Sequence, residues 1–175
     1  MSKLEEIGKE IIIKYSLQKY RRTFIFDFRD NYDNIEELNT TIQDYIRNIL
    51  EINFDKNFIE IIHKEIPENG LGWHIDDCQI INKKQEPQHN KERYIKISEQ
   101  KYLYYNNKYN RLPKQTIIFY HSTYGEDFTG GILRFADNSE ILPKKNNGII
   151  FDSREVHMVT NVKSGIRKIS LVKLY

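Results

Sequence analysis

Three residues in two short segments have the types and spacing of a metal site. His74 and Asp76 lie in the segment Gly-Trp-His-Ile-Asp, and His157 ends the segment Asp-Ser-Arg-Glu-Val-His. Two imidazoles and one carboxylate on one face of an ion leave its other coordination positions open, an arrangement that suits Fe(II) in oxygen-dependent chemistry. The same donors also bind manganese, cobalt, nickel or zinc, so the residue types favour iron without fixing it.

Strand periodicity predicts how the three side chains converge. Residues two apart in a β-strand project to the same face, so His74 and Asp76 could contact one ion. His157 must come from a distant strand, and the apolar run at 148–151 predicts a strand that leads towards it. Taken alone, a His-x-Asp pair is more often an exposed polar pair or a hydrogen-bonded core histidine, so its companions decide.

One companion is Arg167. The turn signal Ser164-Gly165 and the β-rich segment 169–174 predict a hairpin-like excursion after His157, which can return Arg167 beside the metal strand. A guanidinium offers paired donors in the plane of a carboxylate, so Arg167 could hold a dicarboxylate in the site. Without that context, an exposed cation on a surface strand is the simpler interpretation.

These segments resemble the catalytic core of Fe(II)- and 2-oxoglutarate-dependent oxygenases, and within that superfamily the prolyl hydroxylases. In that family a His-x-Asp pair and a distal His hold the iron, which implies His74, Asp76 and His157 here. An Arg or Lys some ten residues beyond the distal His binds the far carboxylate of 2-oxoglutarate, and Arg167 stands ten residues beyond His157.

Two further segments resemble the family in the right order. The apolar segment 116–120 is similar to the family strand that carries a cosubstrate-binding tyrosine, which implies this role for Tyr120. The alternative for Tyr120 is a core aromatic in a chain with 12 Tyr. The segment Phe-Thr-Gly-Gly-Ile-Leu-Arg-Phe at 128–135 is similar to the Gly-Gly-x-Leu-x-Phe segment of the family.

The resemblance implies an α+β fold with a double-stranded β-helix core, jelly-roll or cupin-like, and supporting N-terminal helices. It implies one domain over 1–175, in which 1–57 forms supporting helices and a strand and 58–175 forms the core, with a loop insert at 82–114. Helical spacing of apolar residues predicts helices at 3–20 and 34–53, and the run at 22–28 predicts a strand between them.

The insert at 82–114 is polar, and its second half is rich in tyrosine. In resembling enzymes this region includes a mobile segment that closes over the substrate, and a tyrosine-rich loop could grip a peptide. The alternative is an exposed hairpin or a partly disordered insert.

The implied activity is dioxygenation with Fe(II) as metal and 2-oxoglutarate as cosubstrate, and ascorbate is an optional reductant. No catalytic side chain beyond the iron ligands is required, because the iron and the cosubstrate carry the chemistry. The leading interpretation is hydroxylation of a protein or peptide side chain, with proline first. The alternatives are an oxygenase acting on a small molecule or nucleobase, and a barrel-shaped binding module without turnover.

The chain departs from the prolyl hydroxylases at two places. Many of them carry a tyrosine about ten residues before the His-x-Asp pair, where this chain has Lys64 and Glu65, and a Trp often follows the cosubstrate Arg but is absent here. Both departures concern the shape of the pocket more than the iron. A metal-bound imidazole usually donates its remaining N–H to a carboxylate, carbonyl or water, and Asp152 or Glu155 is expected to serve His157 in this way.

The remaining histidines and the single cysteine have weaker claims. His63 lies in an apolar strand-like run, His89 in a polar loop, and His121 should face away from Tyr120 by strand alternation. Cys78 would face the metal if the strand continued straight from Asp76, although a small buried apolar role is the more common one for a free cysteine.

Composition sets broad limits. One cysteine excludes an internal disulfide, and no apolar stretch of transmembrane length or secretory signal is visible, so we expect a soluble, cytoplasmic protein without a membrane partner. Lys and Arg number 27 against 25 Asp and Glu, a formal net charge of +2 that gives no positive case for nucleic-acid binding.

Overall fold

Two antiparallel sheets face each other across an apolar layer. The computed structural model describes residues 21–82, 94–99, 101–105 and 107–175. The strands within these residues are β1 Arg21–Ile25, β2 Ile59–Ile66, β3 Leu71–His74, β4 Cys78–Asn82, β5 Tyr94–Ser98, β6 Lys101–Tyr105, β7 Gln115–Tyr120, β8 Phe128–Gly130, β9 Leu133–Phe135, β10 Glu140–Ile141, β11 Asn147–Asp152, β12 His157–Val159, β13 Val162–Gly165 and β14 Arg167–Leu174.

The larger sheet has five strands in the order β1-β11-β7-β14-β2, and the smaller one has four in the order β10-β9-β12-β3. One buried cluster contains residues from both sheets, which places the sheets face to face: Ile118, Tyr120, Leu133, Phe135, Ile149, Phe151 and Ile169. Shorter ladders pair β13 with β8 and order β4-β6-β5. This mostly β architecture is consistent with a jelly-roll fold.

Strand β14 divides its side chains between two environments. Because successive residues in a strand point to opposite faces, the odd-numbered and even-numbered positions separate. The odd-numbered residues line a cavity between the sheets: Arg167, Ile169, Leu171 and Lys173. Val172 and Leu174, on the other face, join the core under the helix. One strand therefore stabilises the core and builds the cavity wall.

A single α-helix within the described residues, α1 Ile35–Asn48, covers the outer face of the larger sheet. The Asn34 side chain caps it by accepting a hydrogen bond from the Glu37 N–H, with Oδ1 and N 2.8 Å apart. Ile42 and Ile46 on its apolar stripe are completely buried. The helix ends five residues before the predicted limit of 53, because the backbone turns at Glu51, where φ is 56°.

Other predicted elements have different outcomes. The helix predicted at 3–20 lies outside the described residues. The strand predicted at 22–28 is β1, which ends at Ile25, because its ladder with β11 ends where Ile25 pairs with Asn147. Within 82–114, β5 and β6 form an antiparallel hairpin rather than a continuous loop, and residues 83–93 of this insert lie outside the described part.

The hairpin predicted after His157 is wrong in its pairing. β13 pairs with β8 instead of returning along β12, and β14 then joins the larger sheet between β7 and β2. Arg167 therefore reaches the cavity from the opposite sheet. Within the described residues, no helix has the length and apolar character needed to span a membrane.

Candidate metal centre and the adjoining cavity

The three predicted metal ligands meet at one end of the cavity. His74 ends β3, His157 begins β12, and the two residues are direct partners across the ladder between these strands. Asp76 lies two residues beyond β3, and its Oδ1 is 3.4 Å from His74 Nε2 and 3.3 Å from His157 Nε2. One potential ligand atom from each residue lies within 4.8 Å of the others.

Strand alternation is not what brings His74 and Asp76 together. β3 stops at His74, and Asp76 sits in a turn whose next residue, Asp77, has a φ of 54°. The strand therefore does not run straight into Cys78, and the prediction that alternation places Cys78 on the metal side loses its basis. The Cys78 side chain lies outside the described part of the structure.

Both imidazoles are held through their Nδ1 atoms by backbone carbonyls. His74 Nδ1 is 2.6 Å from the Gly72 carbonyl oxygen, and His157 Nδ1 is 2.8 Å from that of Glu155. Because a carbonyl can only accept, each Nδ1 carries a proton and donates. Nε2 is therefore the atom that can bind a metal, in place of the proton that it donates to Asp76 when no metal is bound.

Of the two residues expected to hold His157, Glu155 does so through its backbone carbonyl, and neither does so through its carboxylate. The Asp152 carboxylate accepts from Arg154, with Oδ1 and Nε 3.1 Å apart, and the Glu155 carboxylate accepts from Arg21, with Oε2 and Nε 3.0 Å apart. Each carboxylate has a nearby guanidinium, a stronger partner than a neutral imidazole. Glu155 serves His157 through its backbone instead.

Asp76 is present as a carboxylate. Burial by itself would raise its pKa, but the charge of His157 and hydrogen bonds from both histidines outweigh burial and hold the pKa well below its usual range. Burial lowers the pKa of His157, and the Asp76 charge more than reverses this, so the pKa of His157 is raised. A carboxylate oxygen between two imidazoles, which bind metals in their neutral form, is a donor set that fits a divalent ion.

The cavity beside this trio has a volume of about 380 Å³. It takes its walls from both sheets, and each contributes apolar side chains: Ile66 and Leu171 from the larger sheet, and Leu71 and Val159 from the smaller one. Arg167 lies at its inner wall, and Lys64, the departure noted in the sequence, is also in its lining. Its size is within the range of small-molecule sites.

Arg167, which lines the same cavity as the metal trio, forms a buried polar pair with Tyr120. Their exposed fractions are 2% and 1%, and the Arg167 Cζ atom is 5.6 Å from the centre of the Tyr120 ring. Among the described residues, the Tyr120 hydroxyl and the Arg167 Nε and Nη2 atoms have no hydrogen-bond partner. Burial raises the pKa of Tyr120, and the Arg167 charge lowers it in part.

Such unpaired donors are costly in a protein interior, so their presence indicates that a ligand completes them. A carboxylate fits both groups, because it can accept from the guanidinium and from the hydroxyl at once. The buried donors therefore fit the far carboxylate of 2-oxoglutarate, as the sequence comparison implied.

Gly131 makes room for Arg167. Its φ is 63°, and a Cβ at this position would lie 2.8 Å from Arg167 Cδ. The Gly-Gly segment seen in the sequence thus has two requirements at this residue: a left-handed backbone and space for the arginine stem.

The other predicted histidines lie elsewhere. His63 Nδ1 and His121 Nε2 are each 2.7 Å from the Ser170 hydroxyl on the helix-facing side of the larger sheet. His121 therefore faces away from Tyr120, as predicted. His89 lies outside the described residues.

Sequence reasoning missed Thr116 and Ser153, which contact Asp76. Thr116 Oγ1 donates to Asp76 Oδ2 over 2.5 Å, and the Ser153 carbonyl accepts from the Asp76 N–H over 3.3 Å. The only signal in the sequence was the position of these hydroxyls next to apolar strand residues.

Comparison with known proteins decides the family. Residues 62–175 match the 2OG-Fe(II) oxygenase superfamily, which is more than half of the chain. The chain belongs to this superfamily. The family predicted from the four motifs is thereby confirmed, and the protein is an oxidoreductase of the dioxygenase type that uses Fe(II) and 2-oxoglutarate.

Similar solved structures have low identities. A viral collagen prolyl hydroxylase from Paramecium Bursaria Chlorella virus-1, solved with 2OG, is 17% identical at a TM-score of 0.44, covering 100% of this chain and 92% of that one. A Pseudomonas putida prolyl-4-hydroxylase is 12% identical at a TM-score of 0.48, covering 98% and 84%.

An oxidoreductase of the 2OG-Fe(II) oxygenase family from Burkholderia pseudomallei is 12% identical at a TM-score of 0.45, covering 97% of this chain and 76% of that one. Likenesses at this level do not define a substrate. None of the curated proteins compared with the chain is significantly similar to it in sequence.

Proposed function

We propose that His74, Asp76 and His157 hold the catalytic Fe(II), and that Arg167 and Tyr120 bind the far carboxylate of 2-oxoglutarate. The observation that carries this assignment is the pair of buried donors on Arg167 and Tyr120, which lack a partner among the described residues. Arg167 lines the same cavity as the metal trio, and Tyr120 lies against Arg167. A buried guanidinium without an anion is destabilising, and a bound dicarboxylate removes that cost.

Iron, when bound with 2-oxoglutarate and dioxygen, supplies an oxidant that places one oxygen atom on a substrate carbon while the cosubstrate becomes succinate and carbon dioxide. The residues of the chain have simpler tasks. Arg167 and Tyr120 orient the cosubstrate, the carbonyls behind His74 and His157 fix the imidazoles, and the apolar wall excludes water from the reacting carbon.

The proposed substrate is a side chain of a protein or peptide, with proline as the first candidate. Support comes from the four motifs that resemble the prolyl hydroxylases and from the apolar side chains that line the cavity on both sheets, among them Ile66, Leu71, Val159 and Leu171. An aliphatic ring can lie against such a wall without leaving a polar group unpaired, whereas a nucleobase would bring several polar edge atoms with it.

We also propose that the two facing sheets form the double-stranded β-helix of the superfamily within one domain. The core would begin near residue 58, directly before β2, which is the first strand of the five-stranded sheet to follow α1 in the chain. The cytoplasm is the proposed compartment, because a reducing environment keeps iron ferrous.

The experiment is succinate formation from 2-oxoglutarate by protein loaded with Fe(II) without oxygen, measured after oxygen is admitted. Wild type is compared with His74→Ala and Arg167→Ala, first alone and then with proline-containing peptides. We expect peptide-dependent succinate that disappears in both variants. Turnover stimulated only by a nucleic acid or a small molecule would contradict the peptide assignment, and a wild type that binds no iron would contradict the catalytic one.

A further inference from the structure

We infer that Thr116, supported by Ser153, confines Asp76 to binding the metal through one oxygen, Oδ1. This inference rests on the proposed function, because it concerns the same three ligands. It assigns a positioning role to two hydroxyl side chains, one of which contacts Asp76 and the other of which contacts the first.

The two oxygens of the Asp76 carboxylate have different surroundings. Oδ1 lies 3.4 Å and 3.3 Å from the Nε2 atoms of His74 and His157, on the side where a metal would bind. Oδ2 accepts a hydrogen bond from Thr116 Oγ1 over 2.5 Å. A lone pair of Oδ2 is therefore used by the protein.

Counting hydrogens fixes the direction of the hydroxyl chain. Thr116 has one hydroxyl hydrogen, and an ionised carboxylate can only accept, so this hydrogen points to Asp76 Oδ2. The Ser153 hydroxyl is 2.8 Å from Thr116 Oγ1 and must donate to it. Each bond in such a chain polarises the next, which strengthens the contact to the carboxylate.

The support is rigid because it comes from the larger sheet. Thr116 lies in β7 and is 1% exposed, and Ser153 directly follows β11 and is 0% exposed. Thr116 is paired in register with Phe151 on one side and Lys173 on the other. Asp76 itself lies in a turn, so its orientation depends on contacts that other segments provide.

A second backbone contact acts in the same direction. The Asp76 N–H donates to the Ser153 carbonyl over 3.3 Å, so Ser153 touches the ligand segment directly and also through Thr116. The main chain and the side chain of Asp76 are thus attached to the same point on β7 and β11.

The chemical consequence concerns the number of open positions. Carboxylates bind metals through one oxygen or through both, and the second mode occupies an additional position. With Oδ2 engaged by Thr116, Asp76 takes one position and the remaining ones stay available for cosubstrate and oxygen. Removing the Thr116 hydroxyl frees Oδ2 to turn towards the metal.

The test uses Thr116→Val, which keeps the shape and removes the hydroxyl, and Thr116→Ser, which keeps the hydroxyl. Thr129→Val is the matched control, since Thr129 Oγ1 is 2.6 Å from the Ser164 hydroxyl in an exposed pair on β8 and β13. Metal affinity is measured without oxygen by competition between each folded protein and a chelator for Fe(II) and Co(II). The visible absorption of bound Co(II) reports its coordination number.

We expect Thr116→Val to weaken metal affinity by about ten- to a hundredfold and to alter the Co(II) spectrum. Thr116→Ser and Thr129→Val should match wild type. The inference is overturned if Thr116→Val is folded, binds metal like wild type and gives the same Co(II) spectrum. In that case wild type still binds metal, so only the inference on Thr116 fails and the proposed function stands. If wild type binds no metal, the inference and the proposed function both fail.

Discussion

His74 and His157 are direct partners across the ladder of β3 and β12, and the centres of their rings are 4.2 Å apart. Their separation is therefore set by the backbone hydrogen bonds of a sheet rather than by a loop. β9 pairs with the other side of β12, where Phe135 is the partner of His157. The smaller sheet thus fixes two of the three ligands before a metal binds, which is the condition for a preorganised site.

Replacing Arg167 should weaken cosubstrate binding. A lysine fills this role in some members of the family, but it cannot offer the planar pair of donors around which this pocket is built. We therefore expect Arg167→Lys to weaken 2-oxoglutarate binding by about a hundredfold, the loss of one of two charge-assisted hydrogen bonds. Calorimetry without oxygen, with Mn(II) in place of iron, measures the dissociation constant. Arg134→Lys, at an exposed arginine of β9, is the control, and equal affinities for both variants would contradict the assignment.

Tyr120 should contribute less than Arg167. Its hydroxyl adds one neutral hydrogen bond to the same carboxylate, so Tyr120→Phe is expected to weaken 2-oxoglutarate binding by about tenfold. Because the hydroxyl has no partner among the described residues, its removal should also leave the ligand-free protein as stable as wild type or more so. Thermal unfolding with and without 2-oxoglutarate separates the two effects. A large loss of stability without ligand would refute this role.

Gly131 and Gly125 allow backbone strain to be separated from the position of Arg167. Both have positive φ angles, 63° and 86°, but a Cβ on Gly131 meets Arg167 whereas one on Gly125 meets nothing within 4 Å. Each change to alanine should cost about 1 kcal/mol of unfolding free energy through the left-handed backbone.

Only Gly131→Ala should raise the KM for 2-oxoglutarate, because only it displaces the Arg167 stem. Urea unfolding and initial rates over a range of cosubstrate concentrations measure the two quantities. If Gly125→Ala raised the KM as much, the effect would belong to strain and not to contact with Arg167.

The ion pair between Arg21 and Glu155 should stabilise the segment that ends in His157. Arg21 donates to Glu155 and is 3.0 Å from Asp137 through Nη1, and the Glu155 side chain is only 3% exposed. Arg21→Met leaves this carboxylate buried without its partner and should cost about 2 to 4 kcal/mol.

The control is Arg134→Met, which breaks a pair with Glu140 whose side chains are 44% and 40% exposed. Exposed pairs contribute about 0 to 1 kcal/mol. Urea unfolding at neutral pH compares the variants. Equal losses for the buried and the exposed pair would show that burial of Glu155 is unimportant.

Stability should fall in weak acid because of His121. Burial first, and then the charges of His63 and Lys145, lower its pKa from 6.5 to about 4. Between these two values the unfolded chain binds a proton that the folded chain rejects. The contribution of His121 is therefore complete above pH 6.5 and is lost as the pH falls towards 4.

His121→Gln keeps a donor for the Ser170 hydroxyl but cannot titrate. We expect its unfolding free energy to vary less between pH 7 and pH 5 than that of wild type, measured by urea unfolding at each pH. An unchanged slope would show that His121 titrates normally in the folded protein.

The sequence predicted the residues of the site better than the path that brings them together. The His-x-Asp pair, the distal His and the Arg ten residues later have spacings that can be read from one chain. They made His74, Asp76, His157 and Arg167 candidates, and the structure brings all four to one cavity. Alternation wrongly placed His74 and Asp76 in one strand, since the turn at Asp77 depends on local backbone conformation, for which an Asp-Asp-Cys run gives no strong signal.

Pairing partners were also beyond the sequence. Thr116 is 40 residues from Asp76 in the chain and 37 residues from Ser153, and it contacts both. Neither hydroxyl follows a periodic pattern that could indicate its partner. The same holds for β13, which pairs with β8 instead of β12, a choice of partner that the turn signal at Ser164-Gly165 does not indicate.

Occupation of the cavity would act as a brace between the two layers of the protein. The histidine ligands belong to the smaller sheet, whereas Arg167, Tyr120 and the support of Asp76 belong to the larger one. Iron and cosubstrate bound together would span this division, so the distance between the sheets becomes part of what the ligands recognise. Substitutions that increase or decrease the side-chain volume in the apolar layer should then lower activity, although they change no residue of the site.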